Sequence, residues 1–143
     1  MLVSKNLQAG MVLQIIHLQS KIEKRIGTSL SAHGIGLSEY LVLERLSMAT
    51  HQKMRRVDLA DQVGLSPSGV TRLLNPMEKI GLVEKEENPR DARVSLVSIS
   101  KVGKRIFEEA RISFEHASVA FFEPLDPKRF DELAELLKAV SER

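Results

Sequence analysis

Val57-Asp-Leu-Ala-Asp-Gln-Val-Gly-Leu-Ser-Pro-Ser-Gly-Val-Thr-Arg-Leu-Leu74 is the stretch that decides how this chain folds. Leu59, Ala60 and Val63 give a short helix one apolar face. Gly64 follows where the chain must turn with positive φ, which glycine does without a Cβ clash. Ser66 is placed to cap a second helix, with Pro67 at its first position, where a missing N–H costs nothing. Val70, Leu73 and Leu74 continue the apolar face, while Ser68, Gly69, Thr71, Arg72 and Asn75 occupy the other side. The pattern predicts a helix-turn-helix. Small, hydrogen-bonding and cationic groups on the outer face are what a helix needs to approach base edges in a DNA major groove. An ordinary helical hairpin with a polar solvent face would share the apolar spacing, so the rest of the chain must discriminate.

Downstream lies Gly81-Leu-Val-Glu-Lys-Glu-Glu-Asn-Pro-Arg-Asp-Ala-Arg-Val-Ser-Leu-Val-Ser-Ile-Ser100. Gly81 stops the helix, Leu82 and Val83 begin a strand, Asn88-Pro89 makes a turn, and Val94 to Ile99 is rich in β-branched residues. A β-hairpin directly after a groove-facing helix has the position of a wing. Arg93 at its tip is suited to the minor groove, with Asp91 orienting the guanidinium and Arg90 near the backbone. Lys53, Arg55 and Arg56, ahead of the first helix, are further candidates for phosphate contacts.

Upstream, Leu7, Met11, Ile15, Leu18, Ile22 and Ile26 recur at helical spacing, with Val12 and Ile16 widening the stripe. So long a stripe needs more than one surface to cover it. After a loop from Ser31 to Gly36, Ser38 is expected to cap the next helix, stapled by Leu37 and Val42, with Leu41, Val42, Leu43 and Leu46 buried. Thr50 to Arg56 reads as a polar linker. At the other end, Ser100 caps a helix whose Phe107, Ala110, Phe114, Ala117 and Phe121 form a heptad-like seam. Asp126-Pro127 opens a last helix striped by Phe130, Leu133, Leu137 and Val140. The expected division is an N-terminal dimerisation helix over 1–30, a winged region over 37–100 and C-terminal dimerisation helices over 101–143. Within the winged region the groove-facing helix spans about 66–80 and the wing about 82–99.

Composition narrows the function classes. The 143 residues are 43% hydrophobic, enough for a core, and contain no cysteine, so disulfides and thiol chemistry are excluded. No apolar run is long enough to span a membrane and no secretion signal is visible, which leads to the expectation of a cytoplasmic protein. The net charge of +2 divides into +2 over residues 1–52, +4 over 53–105 and −4 over 106–143, so the excess falls where phosphates would be met. Enzymatic motifs are missing: there is no glycine-rich phosphate loop, nucleophile elbow or paired carboxylate motif. His17, His33, His51 and His116 are scattered without metal-ligand spacing, and neither metal nor cofactor is expected.

In its order of elements the chain resembles the multiple antibiotic resistance regulator (MarR) family. Gly36-Leu-Ser-Glu-Tyr-Leu-Val-Leu-Glu-Arg-Leu46 is similar to that family's second helix. Asp58-Leu-Ala60 and Leu65-Ser-Pro-Ser-Gly-Val-Thr-Arg-Leu-Leu74 resemble its helix-turn-helix. Pro89-Arg-Asp-Ala-Arg93, Ser98-Ile-Ser100 and Gly103 resemble its wing and the exit that follows. The resemblance covers nearly the whole chain. It implies a mainly α fold with a small β-hairpin wing, and a homodimer binding double-stranded DNA at a pseudo-palindromic operator, with repression the usual outcome. It also implies a small phenolic or aromatic effector between the helical ends and the winged head, where His17 and Tyr40 are candidates for bordering the cleft.

Three departures stand out. Pro76 falls inside the groove-facing helix and predicts a kink or change of direction near Asn75. Glu84, Glu86 and Glu87 make the wing strand acidic, and Ala92 stands where a basic residue is common. The competing readings are a winged helix used only for protein contacts and a metal-responsive regulator. The first calls for apolar residues at positions 68, 71 and 72, where this chain has Ser68, Thr71 and Arg72.

Overall fold

The computed structural model describes residues 6–91 and 94–142. Six helices and three short strands follow in the order α1 (Leu7–Ser31), α2 (Leu37–Met48), β1 (Lys53–Arg55), α3 (Arg56–Val63), α4 (Pro67–Lys79), β2 (Val83–Glu86), β3 (Leu96–Ile99), α5 (Lys101–Phe121) and α6 (Pro127–Ser141). The fold is mainly α, as expected, and the strands form an antiparallel sheet in the order β1-β3-β2. The wing hairpin pairs Val83 with Ile99 and Glu86 with Leu96, and β1 adds to its other edge by pairing Lys53 with Ser98.

Several boundaries follow the local chemistry read from the sequence. Gly64 ends α3 with φ of 71°, and Gly81 follows α4 with φ of 81°. The Ser66, Ser100 and Asp126 side chains each accept the backbone N–H three residues on, closing the first turns of α4, α5 and α6. Other expectations need correction. The cap of α2 is Gly36 and not Ser38, because Glu39 reaches back to accept the Gly36 N–H at 2.6 Å. Tyr40 is buried with Val42, Leu43 and Leu46, while Leu41, expected inside, is 36% exposed. The expected polar linker contains a short 3-10 turn at Thr50–Gln52 and the strand β1, whose partner lies far away in sequence.

The core joins all the elements of the head. Leu30 from α1, Val42, Leu43 and Leu46 from α2, Leu59 from α3, and Val70, Leu74 and Met77 from α4 are essentially sealed from solvent. Leu82, Val83 and Val97 contribute the sheet's inner face, and Phe107 and Ala110 bring in α5. Each of the larger of these side chains, from valine upward, stabilises the fold by about 1.5–3 kcal/mol. The Phe107, Ala110 and Phe114 part of the α5 seam is therefore spent inside the protomer. Tyr40 stacks on Phe114 with ring centroids 4.6 Å apart and meets Phe107 at 5.3 Å. The Ser29 and His33 side chains also reach α5, at the Ser113 carbonyl and hydroxyl.

Pro76 does not end α4, which continues through it to Lys79. Both Pro76 and Arg72 are on the exposed side. Pro76 removes the donor that the Arg72 carbonyl has in a regular helix, and on the exposed side of α4 that loss costs less than the roughly 3 kcal/mol of a buried interior proline.

Two outcomes follow from this packing. A Cβ built on Gly103 would lie 2.2 Å from the Leu82 carbonyl oxygen and 3.0 Å from Ile99. Gly103→Ala should therefore destabilise by about 1–3 kcal/mol in urea unfolding, in spite of alanine's better helix propensity. Burial, reinforced by the nearby Glu115 and Glu44 carboxylates and only partly offset by Arg111, pushes the Tyr40 phenol from 10.0 up to about 12. The neutral phenol's contribution to stability is complete below pH 10 and is lost as pH rises from 10 towards 12. Tyr40 is the sole tyrosine and there is no tryptophan, so tyrosinate absorbance reads this directly, with the folded protein titrating well above its unfolded form.

Candidate nucleic-acid interface

The outer face of α4 is built by its cap. Ser66 Oγ holds the Gly69 N–H at 3.0 Å and lies 3.2 Å from Ser68 Oγ, which presents two hydroxyls side by side at the helix N-terminus. Gly69 is structural here: its N–H belongs to the cap, and a Cβ would approach Ser66 Oγ to 3.1 Å. Thr71 donates its hydroxyl to the Pro67 carbonyl at 3.1 Å, leaving its lone pairs and methyl group outward. Arg72 is exposed, and its guanidinium has no partner among the described residues. This edge therefore offers hydroxyls and one uncommitted cation, with backbone N–H groups at a positive helix end behind them.

Asn75, also expected on this edge, is already engaged. Its side-chain oxygen accepts a hydrogen bond from Lys85 of β2, whose ammonium also lies 3.6 Å from Glu78. The Lys85 side chain is almost wholly buried, so the wing strand is clamped to the C-terminal half of α4. Lys85 was not singled out from the sequence. The alternation of Val83, Glu84 and Lys85 carried the signal, since a period of two puts Lys85 on the same inward face as buried Val83.

The basic residues ahead of α3 separate into three situations. Lys53 is exposed on β1. Arg55 makes a two-pronged ion pair with Asp58, at 2.8 and 3.1 Å, and this hydrogen bonding holds the Asp58 carboxyl below its usual range. Arg56, expected to reach phosphate, instead lies under the wing with its side chain only 12% exposed, 3.4 Å from Glu87. Both arginines are thus ion-paired within the protein, Arg55 still half exposed and Arg56 largely buried, which corrects the expectation that Arg56 is a phosphate contact. A residue count along the chain does not register such pairing.

At the wing turn, the Asn88 side-chain oxygen accepts the backbone N–H groups of Arg90 and Asp91 at 2.9 and 3.2 Å. This turn fixes the rise of the hairpin tip. Arg90 points into solvent. Arg93 and Ala92 lie outside the described residues, so the expected pairing of Asp91 with Arg93 does too.

Tyr40 and His17, expected to border one cleft, are not brought together. A cavity of about 540 Å3 between α2 and α5 is lined by Tyr40, Leu41, Met48, Phe107 and Phe114, with Glu44, Arg45, Glu108, Arg111 and Glu115 at its edge. Both arginines there are ion-paired to glutamates. His17 is exposed on α1 and does not line it. Among the described residues no three His, Asp or Glu side chains are grouped to hold a metal ion, and no helix is long and apolar enough to cross a membrane.

Comparison with known proteins bears on this geometry. Residues 35–95 match the model of the MarR family. The transcriptional repressor MprA of Escherichia coli K12 is 22% identical over 128 residues, which covers 90% of this chain and 73% of MprA. Among solved structures, AbsC, a MarR family transcriptional regulator from Streptomyces coelicolor, superposes with a TM-score of 0.82 at 21% identity, covering 99% of this chain and 96% of AbsC. A mutant MarR from Escherichia coli complexed with operator DNA superposes with a TM-score of 0.79 at 24% identity, covering 95% of this chain and 99% of that one. Residues 35–95 thus match the winged helix-turn-helix of the MarR family, and the chain as a whole has the fold of that family's solved regulators.

Proposed function

We propose that this protein is a sequence-specific DNA-binding transcriptional regulator, a repressor that occupies a pseudo-palindromic operator as a homodimer. The observation that carries the reading is the outer edge of α4, where Ser66, Ser68, Thr71 and Arg72 present hydroxyls and an unpaired guanidinium, with Leu65 and Pro67 exposed as apolar side chains beside them. Such an edge suits base edges and phosphates and offers a protein partner little to bury. Ser66 and Ser68 would contact phosphate at the helix N-terminus, Thr71 and Arg72 base edges, and Arg90 and Arg93 the groove beside the wing. The operator complex of the related MarR supports the DNA reading, and the description of MprA as a repressor supports the sign of regulation.

The exposed face of α1 supports the homodimer. Leu7, Met11, Val12, Leu13 and Ile16 are between 53% and 77% exposed, and α6 exposes Leu136 and Val140 without burying any residue of its own. Apolar surface of this extent, with no membrane-crossing helix among the described residues, favours a protein partner, and a second copy supplies the same stripe in return. Two-fold symmetry would then set the groove-facing helices on half-sites about one helical turn apart. A small aromatic effector fits the α2–α5 cavity beside Tyr40, whose volume lies in the range of ligand sites.

Fluorescence anisotropy against the DNA upstream of its own gene, beside an unrelated duplex and at two salt concentrations, tests the reading. The expected result is tight, selective binding, with Arg72→Ala costing about 1–3 kcal/mol on the operator and far less on the unrelated duplex. Equal, weak and steeply salt-dependent binding to both duplexes would leave only phosphate attraction and refute sequence-specific regulation.

A further inference from the structure

The buried guanidinium of Arg56 belongs neither to the outer edge of α4 nor to the apolar core. Arg56 is the first residue of α3, and its Nε is sealed from solvent without a hydrogen-bond partner among the described residues. Its charge is met by Glu87, just past β2 at the turn end of the hairpin and itself 60% exposed, with Nη2 3.4 Å from Oε1. The other Glu87 oxygen accepts the Ser95 hydroxyl at 3.2 Å, and Ser95 is itself buried on the opposite side of the hairpin. Ser95 closes the ring in two ways: its Oγ accepts the Asn88 N–H at 2.9 Å, and its carbonyl accepts the Arg56 N–H at 2.9 Å. Asn88 in turn holds the amides of Arg90 and Asp91. An unbroken chain of contacts therefore runs from the start of α3 to the turn that carries Arg90.

Stability alone gives no reason for such a ring. Only the Arg56 side of the pair is buried, and desolvating a guanidinium offsets most of its attraction to a half-exposed carboxylate, so the pair does no better for stability than a well-packed apolar side chain would. An apolar residue at position 56 would fill the space but could not hold Glu87. What the ion pair supplies is direction. We propose that Arg56, acting through Glu87 and Ser95, is a positioning residue that sets the angle at which the wing leaves the head, and that it is not itself a phosphate contact. This rests on the DNA-binding reading above.

Two variants of opposite charge change separate the alternatives. Arg56→Met removes a positive charge and Glu87→Ala removes a negative one. If the pair positions the wing, both variants weaken binding to the operator, each about tenfold, because a misdirected wing loses its backbone and groove contacts. If Arg56 acts by its charge on DNA, Arg56→Met weakens binding while Glu87→Ala leaves it unchanged or tightens it, and the proposal is overturned. Hydrogen–deuterium exchange on the DNA-free protein gives an independent readout. The amides of Asn88, Arg90 and Asp91 should exchange faster in both variants, with those of α4 unchanged. Wing exchange equal to that of the unaltered protein would overturn the proposal whatever happens with DNA. An unaltered protein that binds no operator refutes the regulatory reading, and the exchange experiment still decides whether Arg56 orders the wing.

Discussion

The junction at which Ser100 and Gly103 pass beneath the Leu82 carbonyl fixes the relation of every other part. The Ser100 backbone N–H donates to that carbonyl at 3.1 Å, and the Ser100 hydroxyl reaches the Gly81 and Leu82 carbonyls while accepting the Gly103 N–H. One residue thus ends the wing's second strand, caps α5 and satisfies the chain leaving α4. The approach is so close that position 103 has no room for a Cβ. Because α5 starts from this point, its direction is set relative to α4 and the sheet before any side chain along its length makes a contact. The Tyr40, Phe107 and Phe114 stack then fixes the rotation of α5 against α2.

What the sequence made legible was whatever is decided within four residues. Ser66-Pro67, Ser100 and Asp126-Pro127 marked helix starts correctly, because a capping side chain reaches only its own first turn. Gly64 and Gly81 marked helix ends for a similar reason: a left-handed backbone is a local demand. The α2 start was misplaced because two local solutions competed. Ser38 is a good cap by type, but Gly36 with Glu39 satisfies the same donors two residues earlier. Strand β1 was invisible, since three residues from Lys53 to Arg55 have no periodicity of their own and become a strand only by pairing with β3. The α5 seam was seen in the sequence, but its spacing says nothing about whether the partner is the same chain or another.

The candidate interface was legible in its position and less so in its charge. A simple count gave residues 53–105 an excess of four positive charges. Pairing redistributes them: Asp58 engages Arg55, Glu87 engages Arg56, and Asn75 and Glu78 engage Lys85. Of the cations assigned from sequence and described in the structure, Lys53, Arg72 and Arg90 are left to meet an anion. The acidic wing strand that looked like a defect in a DNA-binding hairpin is in part the other half of these pairs, since Glu87 faces Arg56. Only Glu84 and Glu86 remain as exposed carboxylates without such a role, and they face any approaching phosphate with repulsion. An interface with few free cations obtains little from non-specific attraction, so selectivity must come from the geometry of α4 and the wing.

That geometry is held rigidly inside the head. Lys85 clamps β2 to α4, the Arg56 ring clamps the hairpin to α3, and Gly64 joins α3 to α4 through a single tight turn. Groove-facing helix and wing are therefore fixed to one another and move together. The long helices are held differently: α1 buries only Ile26 and Leu30, and its link to α5 includes the single Ser29 and His33 hydrogen bonds to Ser113. In the proposed dimer, a ligand entering beside Tyr40 would act between α2 and α5, where head and helical stalk meet, and would change the distance between two heads without reshaping either one. Packed interiors resist continuous deformation, so such a response would have to switch the Tyr40, Phe107 and Phe114 stack from one arrangement to another and could not bend the head gradually.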